Sequence, residues 1–564
     1  MPRRYRKIDD TMAHQTKPTG TKETVKETIE SIIIALILAF TFRAYVVEAF
    51  VIPTGSMAPT LLGKHLRAQC QQCGFHFLTD IPRDSTAANR MGRQITGHLD
   101  RDYAAACPMC RFSNTLKRGT APASGDRILV HKYIYNFSNP RRWDVVVFKN
   151  PMDPKINYIK RLVGLPNEEI HLLDGNIYVR STQNITGNEG DEQTSPWQIA
   201  RKTSPDSNPN WEAIQRTVWQ PIYHSRYIPL DSEHQYPTNR WSAPWKPEPN
   251  NNKLWQLEPQ QRGYRYTGND TGVLRFDFQA ASDHRIGDIY PYNQHYFASE
   301  NPRYIEEIED IRISVIIEPQ QRGQELTLAT TARLDESDAS QPQTLAATIQ
   351  RDGEIILSAT DPSGRQRVLQ TRQAKPLPAE TSTKIELWYV DQEAIIWING
   401  KPVLRWDYTM SLAELKRRTA PDRVPNISVQ IRGGPATIHS IELDRDLYYS
   451  AFAATNGGRI QPARGGLQRR PNKPAAGKEP VNLGPNQYFC IGDNGPRSHD
   501  GRYWSSVNPW ITDRLFDGEK DRQGIVPRDL MMGRAFFVYF PAPYRMRENG
   551  ISFLPNFGDM RFIY

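Results

Sequence analysis

Two residues far apart in the chain could together do nucleophilic chemistry. Ser56 follows Gly55 in Thr54-Gly55-Ser56-Met57-Ala58-Pro59-Thr60-Leu61, and Lys160 lies in Tyr158-Ile159-Lys160-Arg161-Leu162-Val163-Gly164. A serine hydroxyl is a weak nucleophile until a base takes its proton. A lysine amine can do so only when neutral. With a reference pKa near 10.4, about one in two thousand is neutral at pH 7. Burial among apolar groups disfavours the ammonium form, and Ile159, Leu162 and Val163 surround Lys160 in sequence. Successive strand residues face opposite sides, so an inward Lys160 sends Arg161 the other way. A serine just beyond an apolar segment, with such a lysine, suggests a serine/lysine hydrolase at a membrane surface. Taken alone, each residue has a plainer reading: Ser56 as a cap or turn residue, Lys160 as an exposed edge-strand charge.

A third block, Gly492-Asp493-Asn494 through Ser498, Asp500 and Arg502, adds polar groups. Ser498-His499-Asp500 contains the three residue types of a catalytic triad. Triad members must converge in space, however, and three consecutive residues rarely aim at one another. The sequence has no His-Glu-x-x-His, so a zinc protease lacks support.

The elements that must position these residues are mostly short and β-like. At 564 residues, 38% of them hydrophobic, most of the chain reads as two or three domains outside any membrane. The apolar run Ile32–Phe42 is shorter than the roughly 20 residues of a spanning helix. Arg43 can snorkel and the helix can extend upstream, so the sequence predicts a transmembrane anchor over 26–45. Residues 1–25 read as a basic tail. Arg3, Arg4, Arg6 and Lys7 put it in the cytoplasm by the positive-inside rule. The net charge of +9 is compatible with nucleic acid, but beside an anchor anionic lipid is the simpler partner. Strands are expected over Val46–Ile52, Ile128–Val130, Val145–Phe148 and Ile156–Val163. A hairpin is expected around Asp174-Gly175-Asn176.

Two insertions interrupt this pattern. Residues 64–120 carry Cys70-Gln71-Gln72-Cys73 and Cys107-Pro108-Met109-Cys110. Four thiolates would make a closed structural zinc site, and two disulfides are the alternative in an oxidising compartment. Few hydrophobic runs lie here, so the insertion is not expected to build its own core. Cys490 is unpaired in the pattern and reads as a buried core thiol. Residues 181–480 form the second insertion. Strand-like runs recur over about 270–450, with a hairpin at Asn399-Gly400. They predict a β-sandwich resembling concanavalin-like jelly rolls, a class that often binds carbohydrate or protein. Residues 456–485 read as a linker. The catalytic blocks lie outside 181–480, so activity is expected to survive its deletion.

Four blocks together resemble the type I signal peptidases. They are the Ser56 block; Gly125-Asp126-Arg127-Ile128-Leu129-Val130-His131-Lys132; Arg142–Phe148 through Lys160 to Val179; and Tyr488–Trp504 with Val526-Pro527 and Gly533-Arg534-Ala535. They cover roughly a third of the chain. The resemblance implies a membrane-bound serine endopeptidase that removes signal peptides from exported proteins. Ser56 would be the nucleophile and Lys160 the general base. Thr54 would supply an oxyanion hydroxyl where serine is common, and Ser498 would orient the lysine, supported by Asp500 and Arg502. Gly495-Pro496-Arg497 and Gly501 depart from the family's usual residues.

The expected fold is mainly β: a signal-peptidase-like catalytic domain (46–63, 121–180 and 484–545) with one N-terminal transmembrane helix. It carries a Cys-x-x-Cys zinc-ribbon-like insertion (64–120), an inserted sandwich and a C-terminal tail (546–564). No cofactor is expected for catalysis, with structural zinc at Cys70, Cys73, Cys107 and Cys110. Expected partners are signal-peptide-bearing precursors, membrane lipid, and carbohydrate or a cell-surface protein at the sandwich, with no nucleic acid. The expected location is the cell membrane, single-pass, with the catalytic domain extracytoplasmic. The alternatives are a catalytically inactive, membrane-anchored binding protein and a self-cleaving regulator of the LexA type. The second lacks a DNA-binding motif.

Overall fold

The computed structural model describes residues 21–82, 98–183, 195–205, 209–227, 243–258, 262–278, 286–288, 291–297, 306–334, 342–417, 425–454, 460–470, 473–519, 521–542 and 556–564. The chain is mainly β, as its short β-branched runs dictate.

The sheet that carries Lys160 follows the order Val47–Val51, Arg127–His131, Met531–Phe540, Val145–Lys149, Asn157–Gly164, Gln487–Ile491, Ile525–Pro527. Its pairings are antiparallel, and the register sets Val146 opposite Lys160 and Cys490 opposite Leu162. Ile128, Val130, Val145 and Val147 pack with Met57 and Leu61 in one core, while Val146, Phe148, Leu162 and Trp504 belong to another. The predicted hairpin pairs Glu168–Leu173 with Asn176–Ser181. Asp174 and Gly175 both have positive φ, 52° and 78°, the backbone a tight two-residue turn needs.

The inserted sandwich is present and begins earlier than expected. Gln220–His224 already pairs with Ala436–Arg445, and Trp245–Pro247 with Thr271–Phe276. Its two sheets, of eight and seven strands, enclose a core that includes Ile313, Val315, Leu357, Leu387, Ile396 and Val429.

Several expectations need correction. The predicted anchor lies within a 25-residue helix, Thr21–Tyr45, but among the described residues no helix is long and apolar enough to cross a membrane. Lys22, Glu23, Lys26, Glu27 and Glu30 occupy its first turns, leaving an apolar run below the spanning length. The basic tail over residues 1–20 lies outside the described residues. The cysteine insertion does have a small core, in which Leu66, Phe77, Ile81, Leu99 and Leu116 surround the four thiols. The expected linker contributes strands, Leu467–Arg470 with Lys473–Gly477 and Val481–Asn482 against Glu168–Leu173. In the expected C-terminal tail, Arg561–Phe562 pairs with Met531–Phe540.

Candidate active site

Ser56 sits in a single 3-10 turn, Gly55–Met57, between Val47–Val51 and the cysteine insertion. The segment is tied at both ends to Asp126. Ile52 N–H donates to the Asp126 carbonyl at 2.9 Å, and Leu62 N–H donates to its carboxylate at 3.0 Å. Lys160 projects from the middle of Asn157–Gly164, buried at 4% exposure. Its Nζ lies 2.7 Å from Ser56 Oγ.

Burial lowers the Lys160 pKa from its ordinary 10.5 to about 8. Asp500 and Asp493 pull it upward, while Arg502 pushes it further down. The Tyr158 ring stands 5.3 Å from the amine. Cys490 is also buried nearby, and burial holds its thiol well above the ordinary range, so it stays neutral.

Asp500 and Arg502 form an ion pair at 2.8 Å, both fully buried. Burial alone would raise the Asp500 pKa. The charge and hydrogen bonds of Arg502 and the N–H of Gly492 outweigh it and hold the carboxyl below its ordinary value. Ser498 is buried, and its Oγ has no hydrogen-bond partner among the described residues. It lies against Gly492, where a Cβ would come within 2.2 Å of Ser498 Oγ and 2.4 Å of the Ser56 carbonyl. Thr54 is exposed at the entrance of the Ser56 turn, with no capping hydrogen bond from its side chain. His499 is exposed.

Arg161 points away from Lys160, as strand alternation requires, but into protein rather than solvent. Its guanidinium binds Asp493 through two 2.8 Å hydrogen bonds and donates to the Trp143 carbonyl at 2.8 Å. Thr60 Oγ1 donates to the same carboxylate at 2.5 Å. The Asp493 turn is thereby fixed beside the Ser56 segment. Asn494 completes the link: its N–H donates to the Ser56 carbonyl at 3.1 Å and its Nδ2 to the Gly55 carbonyl at 2.8 Å.

Arg161 and Asn494 were not expected as site residues, and for Asp493 the sequence leaves a turn and a supporting role equally open. A buried arginine needs a buried carboxylate, so alternation around Lys160 was the signal that could have pointed to Asp493. Residues of the long insertion also reach the site. Tyr449 OH donates to Asp493 at 3.4 Å, and Arg502 donates to the Ser450 carbonyl at 2.9 Å. Nothing in their sequence marks them for this role.

In the cysteine insertion all four Sγ atoms lie within 4.8 Å of one another. Cys70 to Cys110 is 3.5 Å and Cys73 to Cys107 is 3.6 Å. A disulfide needs about 2.05 Å, so the four thiols are free. A tetrahedron with metal–sulfur bonds near 2.3 Å has edges of about 3.8 Å, which these separations fit.

The family model for signal peptidase, peptidase S26, matches residues 116–223 and 392–540. These segments contain Lys160, Ser498, Asp500 and Arg502, while Ser56 lies outside them. Signal peptidase I of Rickettsia typhi (strain ATCC VR-144 / Wilmington) is 29% identical over 164 residues, 28% of this chain and 46% of that protein. Signal peptidase I of Rickettsia massiliae (strain Mtu5) is 25% identical over 215 residues, 37% of this chain and 64% of that protein. The match thus spans about half to two thirds of these relatives' own length.

Among solved structures, a Bacillus subtilis protein with a galectin-like fold aligns at TM-score 0.22 and 12% identity, over 36% of this chain and 88% of that one. The carbohydrate binding module CBM66 of Bacillus subtilis aligns at TM-score 0.21 and 9% identity, over 34% and 90%. By its two matched segments and these relatives, the chain is similar to the signal peptidases of the peptidase S26 family.

Proposed function

We propose that the chain is a serine endopeptidase that removes signal peptides from precursor proteins, with Ser56 as nucleophile and Lys160 as general base. The observation that carries this reading is the 2.7 Å contact between Lys160 Nζ and Ser56 Oγ, with the lysine buried and its pKa lowered to about 8. The neutral amine takes the hydroxyl proton as Oγ attacks the scissile carbonyl. The resulting ammonium gives that proton to the leaving amine as the C–N bond breaks. A water, deprotonated by Lys160, then releases the acyl group from Ser56. The oxyanion is assigned to the Ser56 N–H and the Thr54 hydroxyl. Ser498, buried with an unpartnered Oγ, is assigned to accept from the Lys160 ammonium and hold it in line.

The apolar part of the N-terminal helix supports lipid attachment: Ile33, Leu36, Ile37, Leu38 and Phe40 are all about half exposed or more. We assign the four cysteines to a structural zinc ion with no part in the chemistry, which would add folding free energy to the small core around them. The sandwich is read as a support for the site. Its Trp388–Trp397 face is covered by the chain's own Trp211–Val218 helix through Trp211 and Arg216. A catalytically inactive binding protein would have no need of the Ser56–Lys160 contact.

The test is cleavage of a signal-peptide-bearing precursor by purified protein. Ser56→Ala and Lys160→Met are each expected to lower turnover by at least about 10³-fold without unfolding the chain. Normal turnover in either variant sinks the assignment.

A further inference from the structure

The Ser56 turn is held partly by a segment that belongs to the long insertion. Pro291–Asn293 forms a 3-10 turn, and Tyr292 and Asn293 are buried. The Tyr292 ring packs against Gly55, where a Cβ would come within 2.3 Å of its Cε1. Tyr292 OH donates to the Lys64 carbonyl at 3.2 Å. Asn293 and Asn494 form a reciprocal pair: Asn293 Nδ2 donates to Asn494 Oδ1 at 2.6 Å, and Asn494 Nδ2 donates back at 3.0 Å. That same Asn494 Nδ2 donates to the Gly55 carbonyl. The Gly55 carbonyl can only accept, so it fixes which side of the Asn494 amide carries Nδ2, and the pairing with Asn293 holds the amide group in place there.

The far end of this segment is fastened to the cysteine insertion. Gln294 makes two hydrogen bonds to the backbone of Ala106, beside Cys107, at 2.8 and 2.9 Å. Asp80 N–H donates to the Tyr292 carbonyl at 2.6 Å, and its carboxylate accepts from His295 N–H at 2.9 Å and from Arg497 at 2.7 Å. One short segment therefore ties together the nucleophile turn, the Asn494–Arg497 turn and the cysteine module.

We propose that Asn293 is a positioning residue for the Ser56 turn, acting through Asn494, and that Tyr292–Gln294 is a strut braced on the cysteine module. The proposal rests on Ser56 and Lys160 being the reacting pair. Losing the strut lets the turn drift, and misplacement of about 1 Å can cost roughly 10²-fold in rate.

The test is Asn293→Ala in the full chain, read in two independent ways. Steady-state cleavage of a precursor is expected to show kcat lowered about 10- to 100-fold with KM nearly unchanged. Hydrogen–deuterium exchange is expected to quicken at the backbone amides of residues 55–58. A folded Asn293→Ala protein with wild-type kcat and wild-type exchange overturns the proposal. If that variant does not fold, Gln294→Ala decides. It trims only the brace on Ala106 and is expected to give a smaller loss of kcat with faster exchange in the same amides. Wild-type values of both would overturn the strut. If the wild-type protein cleaves no precursor, the peptidase reading fails, while the exchange measurement still decides whether Asn293 holds the turn.

Discussion

Lys160 and Lys202 are both almost fully buried, and their surroundings drive them in opposite directions. Lys202 Nζ touches Asp391 at 2.7 Å and Asp446 at 2.8 Å. Burial would lower its pKa, but the two carboxylates win and hold it above the ordinary lysine range. Lys160 faces a hydroxyl at 2.7 Å, and the nearest carboxylates, Asp500 and Asp493, are each already bound to an arginine. Burial wins there, and the pKa falls to about 8. Lys202 also stands 5.5 Å from the Trp143 ring, while Trp143 Nε1 donates to the Arg201 carbonyl. It therefore pins the sandwich turn at Asp391 to Trp143, which packs in the core beside the sheet that carries Lys160. Burial alone does not make a lysine a base. The acids must be neutralised by other partners.

The bluntest way to break the comparison is to delete residues 181–480, which removes Lys202 and its acids together. The sequence suggested that activity would survive. The structure puts Tyr449, Ser450 and Asn293 against the site, so complete loss of precursor cleavage is expected. A deletion retaining near wild-type cleavage would show that these contacts are dispensable.

A sharper test exchanges each lysine for methionine and measures chemical denaturation at pH 7. Lys202→Met leaves Asp391 and Asp446 buried without their cation and is expected to cost about 3–5 kcal/mol. Lys160→Met is expected to do the reverse. The pKa of Lys160 is lower folded than unfolded, so between about pH 8 and 10.5 the unfolded chain holds a proton that the folded chain has lost. Stability from this group rises with pH across that window, and the full cost is present below it. Removing the amine should therefore stabilise the protein at pH 7, by up to about 3 kcal/mol. Loss of stability in Lys160→Met would contradict a lysine held against its own solvation.

Much of this was legible in the sequence. Short β-branched runs around Val145 and Ile159 marked two strands of the sheet that carries Lys160, because a half-buried sheet selects such residues. Asn399-Gly400 marked its hairpin by the turn chemistry. The apposition of Ser56 and Lys160 was readable only through the four-block resemblance, since 104 positions separate them. The brace from Tyr292 and Asn293 was not readable. Side-chain amide pairs and ring contacts have no periodicity, and nothing in Pro291-Tyr292-Asn293 differs from an ordinary turn. The cysteine module was misjudged because thiols were not counted as apolar packing, although all four are buried with Phe77 and Leu116.

The next measurement follows the lysine's charge directly. As the proposed base, Lys160 has to be neutral to take a proton, so the rate should rise about tenfold per pH unit below about 8 and level off above it. A rate independent of pH from about 5 to 9 would remove the lysine from the proton transfer.

The smallest expected effect tests which neighbour sets that midpoint. The charged and titratable groups that act on Lys160 are Asp500, Arg502, Asp493 and Cys490, with the Tyr158 ring beside its amine. Cys490 is neutral, and Asp493 is held by Arg161 and Thr60. Asp500 is the largest pull upward on the lysine, and Arg502 pushes it down. Asp500→Asn removes that upward pull and leaves the push of Arg502 uncompensated. Both changes favour the neutral amine, so the midpoint should move to lower pH. The shift should be about one unit or less, because the amide keeps an oxygen to accept from Gly492 N–H and preserves the turn. Turnover above pH 8 should change less than turnover at pH 6, where the variant gains the larger neutral fraction. A midpoint that moves to higher pH would show that Asp500 acts on the lysine through geometry rather than charge.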